Sequence, residues 1–569
     1  MLRSPGLNFR LREPRRGETV NQCIQFVEQG RPRLARVVRV GICLLCCVSV
    51  NALADERIEV EKARREAQQA HRAGDYAKAE RLYRDVLTAE PSDHVSRLQL
   101  SWMLIKQGQL ERAYQEATSV INQGIINARA RALVGVALLR MGFFQESVQE
   151  LNAALALDPR EPLTLAGMAE IDFFENRSES AYERLRLATS VEPREPDFWI
   201  AFGRTAARLE RFKEAAEYYQ RFLVVSPKLE EEKRARYRGL IDFYFALSRS
   251  QVSRLHQVDG PRSVSVPFVL DNSRPYVRVR INGHDTPLMF VVDTGASITV
   301  MSEATARRLN VNPMARGGHA RAVGGGGTFP IVYGLIHRLE IGEMKVYNVP
   351  IYIRQFRHFA ESGKKDEPRV TVDGFLGLSV LSNFRLTLDY AQREMIVERP
   401  GTLDFLENLP ADVSVIPFRT TNGGLMSALV QLEEHSGYHF LIDSGASATV
   451  LCDDVIEKLN WKSKLLPDLK VRVLGAAGTI EEVALMVIPS FRVHDLEQRN
   501  VRAPILNLAA INETAGFFQA GIIGGSFLRH FRVTFDFQRG RLLMRPQTEA
   551  VRRITPTAEA NPVEKPSEN

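Results

Sequence analysis

The stretches Phe290-Val-Val-Asp-Thr-Gly-Ala-Ser297 and Phe440-Leu-Ile-Asp-Ser-Gly-Ala-Ser447 decide how this chain is organised. Each is an apolar run of strand-forming residues followed by an acid, a small hydroxyl residue, a glycine, an alanine and a serine. An Asp-[Thr/Ser]-Gly triplet alone often occurs by chance. Here the whole pattern recurs with a separation of 150 residues. We interpret the two stretches as equivalent parts of one repeated unit.

The repetition extends beyond these two stretches. Three further pairs of segments match in the same order, namely 264–268 with 413–418, 374–381 with 521–528, and 384–389 with 531–536. The spacing changes by only a few residues from pair to pair, so small loop differences separate the halves. Alternating apolar residues broken by turn signals indicate strands joined by hairpins. The sequence therefore predicts a tandem pair of β-rich lobes, residues 263–400 and 401–548.

The two halves together resemble aspartic proteases of the retropepsin type. The resemblance rests on the Asp-[Thr/Ser]-Gly-Ala-Ser pattern, a glycine-rich hairpin and a later Gly-x-x-Gly segment, in that order in each half. It implies a two-lobed, β-rich acid-protease fold, arranged like pepsin but with lobes of retropepsin size. It also implies that the lobes pair within one chain. A pairing of each half with another chain is the alternative.

The chemistry expected of this fold depends on Asp293 and Asp443. Two carboxyl groups held close together in an apolar cleft cannot both ionise, so the pair shares one proton. The ionised member can take a proton from a bound water while the protonated member donates to the peptide carbonyl. This reaction needs no metal, no cofactor and no covalent intermediate. The sequence predicts an aspartic endopeptidase that acts on peptides or proteins; a non-catalytic peptide-binding adaptor is the alternative.

The resemblance also implies roles for three pairs of neighbours. These are Thr294 with Ser444, Gly295 with Gly445, and Ser297 with Ser447. The first pair is expected to hydrogen-bond across the two loops and fix their spacing. The glycines allow a tight turn and offer N–H groups to the carboxylates. The serines are expected to hydrogen-bond the outer carboxyl oxygens.

Glycine-rich turns lie between the aspartate and the Gly-x-x-Gly segment in each half. They comprise Gly324, Gly325, Gly326 and Gly327 in the first half, and Gly475 and Gly478 in the second. A phosphate-binding loop is excluded because no Gly-Lys-[Ser/Thr] follows. Hairpin tips that close over a bound peptide fit the pattern better. Two such flaps resemble the retroviral dimer, whereas pepsin has one.

Residues 55–250 form a separate helical region. Gly74, Gly108, Gly142, Asn176 and Glu210 follow one another at steps of 34 residues, and small residues recur five positions later. This period resembles the tetratricopeptide repeat, with about five helix-turn-helix copies forming an α-solenoid. Its concave groove is expected to hold a protein partner or substrate, although a packed scaffold is the alternative. Residues 251–262 are predicted to be a linker, and residues 549–569 a disordered tail.

Residues 1–54 are predicted to be a leader. An apolar run, 40–50, follows arginines and precedes Ala52-Leu53-Ala54, which describes a secretory signal peptide. The arginine-rich segment before the apolar run is long for a signal peptide. Either the true start lies nearer Val37, or the leader is extended. A mitochondrial transit peptide is another interpretation. We expect export to a bacterial periplasm or outside the cell, with no stable membrane span after cleavage. An uncleaved leader would act as an anchor.

The distribution of charged residues bears on nucleic-acid binding, and the distribution of cysteines bears on the cellular compartment. The net charge is +7, and the leader holds nine arginines against three glutamates, so the remainder is nearly neutral. This distribution argues against nucleic-acid binding. Four of the five cysteines lie in the leader. The mature chain keeps only Cys452 and cannot form an internal disulfide, which favours a periplasm over a eukaryotic secretory route.

Overall fold

The computed structural model describes residues 58–250, 254–321, 327–355, 372–401, 409–475 and 478–553. It has a helical N-terminal part followed by a β-rich part, which confirms the predicted fold class. The helical part begins with α1, residues 58–72. The helices that follow are α2 (Tyr76–Ala89), α3 (His94–Lys106), α4 (Leu110–Asn122), α5 (Ala128–Met141), α6 (Phe144–Leu157), α7 (Pro162–Phe174), α8 (Ser178–Val191), α9 (Pro196–Arg208), α10 (Phe212–Val225) and α11 (Glu231–Arg249).

The 34-residue pattern is explained by the turn inside each helix pair. The five turn residues of the pattern all have positive φ: 79° at Gly74, 74° at Gly108, 96° at Gly142, 66° at Asn176 and 57° at Glu210. Glycine adopts this backbone without strain and asparagine tolerates it. The small residue five positions later, such as Ala113, is fully buried where the paired helices meet. Five helix pairs result, and α11 covers the end of the last one.

The solenoid, α1–α11, is curved so strongly that its ends meet. Lys228, in the loop before α11, contacts Asp75 of the first repeat with a separation of 2.9 Å between Nζ and Oδ2. Across the concave face, Lys106 of α3 forms a buried ion pair with Glu195, in the loop before α9. The indole N–H of Trp102 donates to the same carboxylate at 3.2 Å. These contacts join the second repeat to the fifth.

Lobe 1 follows the solenoid. Its elements are β1 (Gln257–Asp259), β2 (Ser263–Asp271), β3 (Arg274–Ile281), β4 (Leu288–Val292), β5 (Thr299–Ser302), α12 (Glu303–Arg308), β6 (Pro313–Arg321), β7 (Thr328–Ile341), β8 (Met344–Arg354), β9 (Gly374–Leu376), α13 (Leu378–Leu381), β10 (Arg385–Asp389) and β11 (Glu394–Glu398).

Lobe 2 repeats this order. Its elements are β12 (Ser414–Pro417), β13 (Arg419–Thr420), β14 (Met426–Leu432), β15 (His435–Ile442), β16 (Val450–Cys452), α14 (Asp453–Lys458), a 3₁₀ turn (Trp461–Lys464), β17 (Leu465–Gly475), β18 (Gly478–Val493), β19 (Leu496–Leu506), α15 (Ala509–Ala515), β20 (Gly521–Ile523), α16 (Gly525–Leu528), β21 (Phe531–Asp536), β22 (Arg541–Pro546) and β23 (Val551–Arg553).

One antiparallel sheet, in the order β12-β22-β21-β10-β11-β2, joins the two lobes. At its centre β10 pairs with β21, and Thr387 lies opposite Thr534. These threonines are equivalent in the repeat, and their hydroxyl oxygens are 2.8 Å apart. A local two-fold axis therefore passes between them. The halves pair within one chain, and their buried apolar residues form one continuous core.

Each aspartate-bearing strand lies beside a short strand from the Gly-x-x-Gly segment. β4 pairs with β9 in parallel, and β15 pairs with β20 in the same way. A Cβ atom at Gly374 would lie 2.3 Å from the Phe290 ring, and one at Gly521 would lie 2.2 Å from the Phe440 ring. Only glycine fits at either position, so this segment holds each strand where its aspartate emerges.

Two segments have more structure than the sequence predicted. Residues 257–259, inside the assigned linker, form β1 and pair with β8. Residues 551–553, inside the assigned tail, form β23 and pair with β19. Val551 is buried there, and the Arg553 guanidinium donates to Asp495 at 2.8 Å. Within the described ranges, no helix is long and apolar enough to span a bilayer.

Candidate active site

The structure brings Asp293 and Asp443 together at the local two-fold axis. Asp293 follows β4 and Asp443 follows β15. The Asp443 carboxyl carbon lies 2.2 Å from the position that a Cβ of Gly295 would take, and the Asp293 carboxyl carbon lies 2.6 Å from the corresponding point on Gly445. Each carboxyl group thus packs against the glycine of the other lobe.

The hydroxyls of Thr294 and Ser444 lock the two loops together. The Thr294 hydroxyl donates to the Ile442 carbonyl at 2.9 Å and accepts the Ser444 N–H at 2.9 Å. The Ser444 hydroxyl donates to the Val292 carbonyl at 2.6 Å and accepts the Thr294 N–H at 3.1 Å. All four bonds cross between lobes and are buried. This geometry matches the cross-bonding expected for this pair.

Backbone N–H groups bind the carboxylates. The Gly295 N–H donates to Asp293 Oδ1 at 2.9 Å, and the Gly445 N–H donates to Asp443 Oδ1 at 2.8 Å. Asp443 accepts a further bond from the Ala446 N–H at 3.0 Å. These donors are fixed by the turn that the glycine allows. They compensate for part of the loss of solvation at the carboxylates.

The expectation for Ser297 and Ser447 is not met. Among the described residues, neither serine hydroxyl hydrogen-bonds to an aspartate. Ser297 and Ser447 instead use their backbone carbonyls, which accept the N–H groups of Ser379 and Ser526, both at 2.9 Å.

A further pair of residues supports each loop, and the sequence analysis did not assign it a role. Thr299 Oγ1 accepts the Gly377 N–H at 3.1 Å, and its own N–H donates to Ser379 Oγ at 3.0 Å. In lobe 2, the Thr449 N–H donates to Ser526 Oγ at 2.9 Å. The signal was present, because Thr299 and Thr449 keep the same 150-residue relation as the aspartates.

Burial and mutual repulsion shift both aspartates in the same direction. Burial, followed by the charge of Asp443 and the hydrogen bond to it, raises the pKa of Asp293 well above its usual value. Burial also raises the pKa of Asp443, but the N–H group of Gly445, the Asp293 side chain and the N–H group of Ala446 oppose the rise. Negative charge is therefore better accommodated on Asp443.

The predicted flaps are only partly described. Gly324, Gly325 and Gly326 lie outside the described residues, whereas Gly327 has a φ of 101° and precedes β7. In lobe 2, Gly475 pairs with Gly478 at the end of the β17–β18 hairpin. The two glycine-rich turns thus belong to the corresponding hairpins β6–β7 and β17–β18 in the two lobes.

Other acids and histidines that the sequence offers have structural surroundings. Asp389 accepts from Arg532 at 2.6 Å and Asp536 accepts from Arg541 at 3.0 Å, both across strand pairs. His439 Nε2–H donates to the Gly142 carbonyl of the solenoid at 3.1 Å, and burial lowers its pKa to about 3. Burial raises the pKa of the Cys452 thiol to about 12, so this cysteine is a poor nucleophile at neutral pH.

A cavity of about 1610 Å³ separates the solenoid from the lobes. Lys106, Arg140 and Arg204 line it from the concave face, and Tyr333 of lobe 1 and Phe517 of lobe 2 line the opposite side. The protease-like part therefore faces the groove that the sequence analysis assigned to a partner.

Comparison with known proteins agrees with this geometry. The family described as "Aspartyl protease" matches residues 277–380 and 428–527, which include both aspartates. Families described as "Tetratricopeptide repeat" match residues 70–135 and 176–229. This chain joins tetratricopeptide repeats to a duplicated aspartyl protease domain. Both parts of the resemblance found in the sequence are confirmed.

Individual relatives cover only parts of the repeat–protease chain. Human Protein DDI1 homolog 1 is 28% identical over 127 residues, covering 22% of this chain and 28% of that protein. Human Protein O-mannosyl-transferase TMTC1 is 22% identical over 176 residues, covering 29% of this chain and 20% of that protein. The chain thus spans between a fifth and just over a quarter of these relatives.

Solved structures are similar to each part separately. An aspartic proteinase from Irpex lacteus has 14% identity and a TM-score of 0.32, with 51% of this chain and 98% of that one covered. TTC0263, a tetratricopeptide repeat protein from Thermus thermophilus, has 20% identity and a TM-score of 0.28, with 32% and 98% covered.

Proposed function

We propose that the chain is an aspartic endopeptidase that hydrolyses peptide bonds with a water activated between Asp293 and Asp443. The observation that carries this proposal is that two equivalent carboxyl groups, both with raised pKa values, each pack against the glycine of the opposite lobe at the local two-fold axis. A structural ion pair would place a cation beside each acid. A pair of like charges, held by four buried cross-lobe hydrogen bonds, is instead suited to acid–base chemistry.

The two aspartates have distinct roles in this reaction. Asp443, whose Oδ1 accepts the N–H groups of Gly445 and Ala446, takes a proton from the water as the oxygen attacks the peptide carbonyl carbon. Asp293 donates its proton to the carbonyl oxygen. The resulting tetrahedral species loses its amine after a proton passes from Asp443 to the nitrogen. Asp293 regains a proton when the new carboxylic acid forms.

Substitution of the two aspartates tests the proposal. Asp293→Asn and Asp443→Asn should each remove hydrolysis of a peptide library, measured by mass spectrometry from about pH 3 to about pH 8. A pepstatin-type inhibitor should block the parent protein. Asp285→Asn, which changes an exposed carboxylate in lobe 1, is the matched control and should leave cleavage unchanged.

Two results would overturn the proposal. Cleavage that persists in the Asp293→Asn, Asp443→Asn double variant would assign hydrolysis to another group. Peptide binding without cleavage by the parent protein at every pH would make the lobes a binding module.

We propose further that the repeats recruit a peptide or protein and that the chain is exported. The first proposal is supported by the cavity on the concave face, because residues of the solenoid and of both lobes line it and a chain recruited there would lie beside both lobes. The second is supported only by the leader pattern, because residues 1–57 lie outside the described residues. Fusion of residues 1–60 to alkaline phosphatase should give activity only after export; an inactive fusion would contradict it.

A further inference from the structure

The hairpins that carry the two predicted flaps have different surroundings. In lobe 1, helix α11 of the solenoid lies along β6, the outer strand of the β6–β7 hairpin. In lobe 2, β17 has the equivalent outer position beside β18. Among the described residues, no hydrogen bond or ion pair joins the solenoid to β17 or β18. Of these two hairpins, the one in lobe 1 is thus the one that the solenoid supports.

The contact between α11 and β6 is made backbone to backbone. A Cβ atom at Gly239 of α11 would lie 2.1 Å from the Gly317 Cα and 2.5 Å from the Arg316 carbonyl oxygen. A Cβ at Gly317 would in turn lie 3.0 Å from the Gly239 Cα. Helix and strand can approach this closely only because both positions lack a side chain.

Side chains on the next turn of α11 hold the second strand of the hairpin. The Phe243 ring stacks on the Tyr333 ring of β7, with 4.5 Å between centroids and 14° between planes. Both residues are buried, and Leu247 and Leu255 complete the same apolar cluster. Stacking and burial of two aromatic rings resist displacement of β7.

A polar contact lies closer to the tip of the hairpin. The Glu232 carboxylate accepts the backbone N–H of His319, two residues before the end of β6. The side chains of Glu232 and His319 are both half exposed. This contact therefore orients the hairpin and adds little to the stability of the fold. Contacts from Glu232 to Phe243 thus follow the hairpin over three turns of the helix.

We propose that α11 positions the β6–β7 hairpin, so that the β17–β18 hairpin is the one that yields when a peptide enters the cleft. The part of this inference that concerns peptide entry rests on the proposed function. The part that concerns positioning does not. In this arrangement the solenoid is a component of the protease, and its last helix sets how readily substrate binds.

Matched substitutions test the positioning. Gly239→Ala places a methyl group against the backbone of β6, whereas Gly203→Ala on α9 places one 3.0 Å from the Tyr219 ring within the solenoid. Both changes favour the helix itself. Phe243→Ala removes the stack on Tyr333. Phe245→Ala is its control, because Phe245 packs with the cluster that contains Tyr219 and Ile241.

Hydrogen exchange of the full-length protein is the first measurement. Gly239→Ala and Phe243→Ala should each speed amide exchange in β6 and β7 by about tenfold, with β17 and β18 unchanged. The controls should leave both hairpins as in the parent protein. Unchanged β6–β7 exchange in Phe243→Ala, or equal acceleration in Phe245→Ala, would overturn the proposal. Phe243→Ala makes no clash, so it decides the matter if Gly239→Ala fails to fold.

Peptide kinetics provide the second measurement. A misplaced hairpin should raise KM about fivefold and change kcat less than twofold, because the aspartates keep their own contacts. A fall in kcat with unchanged KM would overturn the positioning role. If no variant or parent protein cleaves peptides, the proposed function fails while the exchange result still stands.

Discussion

Lobe 1 and lobe 2 are alike where they meet each other and different where they meet the solenoid. At the local two-fold axis, Thr294 and Ser444 make the same two hydrogen bonds in opposite directions. Away from it, lobe 1 presents the glycine-rich strand β6 to α11. Lobe 2 presents Phe517, whose ring packs edge-on against Phe144 at 4.9 Å and Phe174 at 5.1 Å.

This contrast shows which part of a duplicated fold must remain symmetric. Two carboxyl groups share a proton only if both loops have the same geometry, so both loops keep the same bonds. The outer surfaces have no such requirement. Each has become complementary to a different part of one asymmetric solenoid. The following predictions test how far the equivalence of the lobes extends.

The largest effect is expected at Gly295 and Gly445, the glycines of the two aspartate-bearing loops. Gly295→Ala and Gly445→Ala should each lower kcat by about 100-fold or more, because the new methyl group would overlap the carboxyl group of the opposite lobe. Gly423→Ala is the control, since its nearest neighbour lies at 3.8 Å. Kinetics with a fluorogenic peptide measure the effect, and a loss confined to one lobe would show that the loops are not equivalent.

The cross-lobe hydroxyls should affect stability next. Thr294→Val and Ser444→Ala each leave a buried carbonyl and a buried N–H without their partner. We expect either change to lower the free energy of unfolding by about 2–3 kcal/mol in urea titrations.

Ser297→Ala is the control for this pair and should change stability by less than about 0.5 kcal/mol. A loss at Ser297→Ala as large as that at Ser444→Ala would show that the serine hydroxyl has a role absent from this structure.

The shared proton predicts a dependence of stability on pH. A raised pKa at Asp293 means that the folded protein retains a proton that the unfolded chain releases near pH 3.8, so stability falls as pH rises above that value. In the parent protein this proton lowers the free energy of unfolding by up to about 1.4 kcal/mol per pH unit, and Asp293→Asn should remove that dependence. Asp443→Asn should remove less, because burial still raises the pKa of Asp293. Thermal unfolding at several pH values distinguishes the two variants; equal slopes would contradict the assignment of the proton.

The smallest effect concerns the docking of lobe 2. His439 occupies the position that Met289 has in lobe 1. Its pKa is lowered to about 3, so its contribution to stability is complete above pH 6.5 and is lost as pH falls below that value. His439→Met should reduce the acid-induced loss at about pH 5.8 by about 1 kcal/mol.

His435→Met, four residues earlier on the same strand and half exposed, is the control and should leave the acid response unchanged. Circular dichroism during acid unfolding measures both. An unchanged acid response in His439→Met would show that the interface tolerates a charged imidazole.

Much of the fold and the centre of the candidate site were predictable, because both are recorded in local patterns that recur. The two eight-residue stretches, 290–297 and 440–447, locate both aspartates. The 34-residue period places even Glu210 at a turn position, where its φ is positive. Thr387 and Thr534 could be matched by position before their contact was seen.

The contacts between domains could not be predicted in this way. No repeat pattern includes Gly239, Gly317 or Phe517. Their roles follow only from the contacts that they make with distant parts of the chain. The roles of the Ser297 and Ser447 hydroxyls were assigned by resemblance, whereas the bonds seen at the carboxylates come from backbone N–H groups, which side-chain identity does not record. Strands β1 and β23 are three residues long, too short for a periodic signal.

The contact between Lys228 and Asp75 limits how this protein can vary in length. Open solenoids tolerate gain or loss of a repeat because each unit touches only its neighbours. In this protein the two ends of the superhelix meet after five repeats, and each lobe contacts a fixed part of the superhelix. Adding or deleting 34 residues would shift the part of the superhelix that contacts one lobe relative to the part that contacts the other, so the positions of the two lobes set the number of repeats.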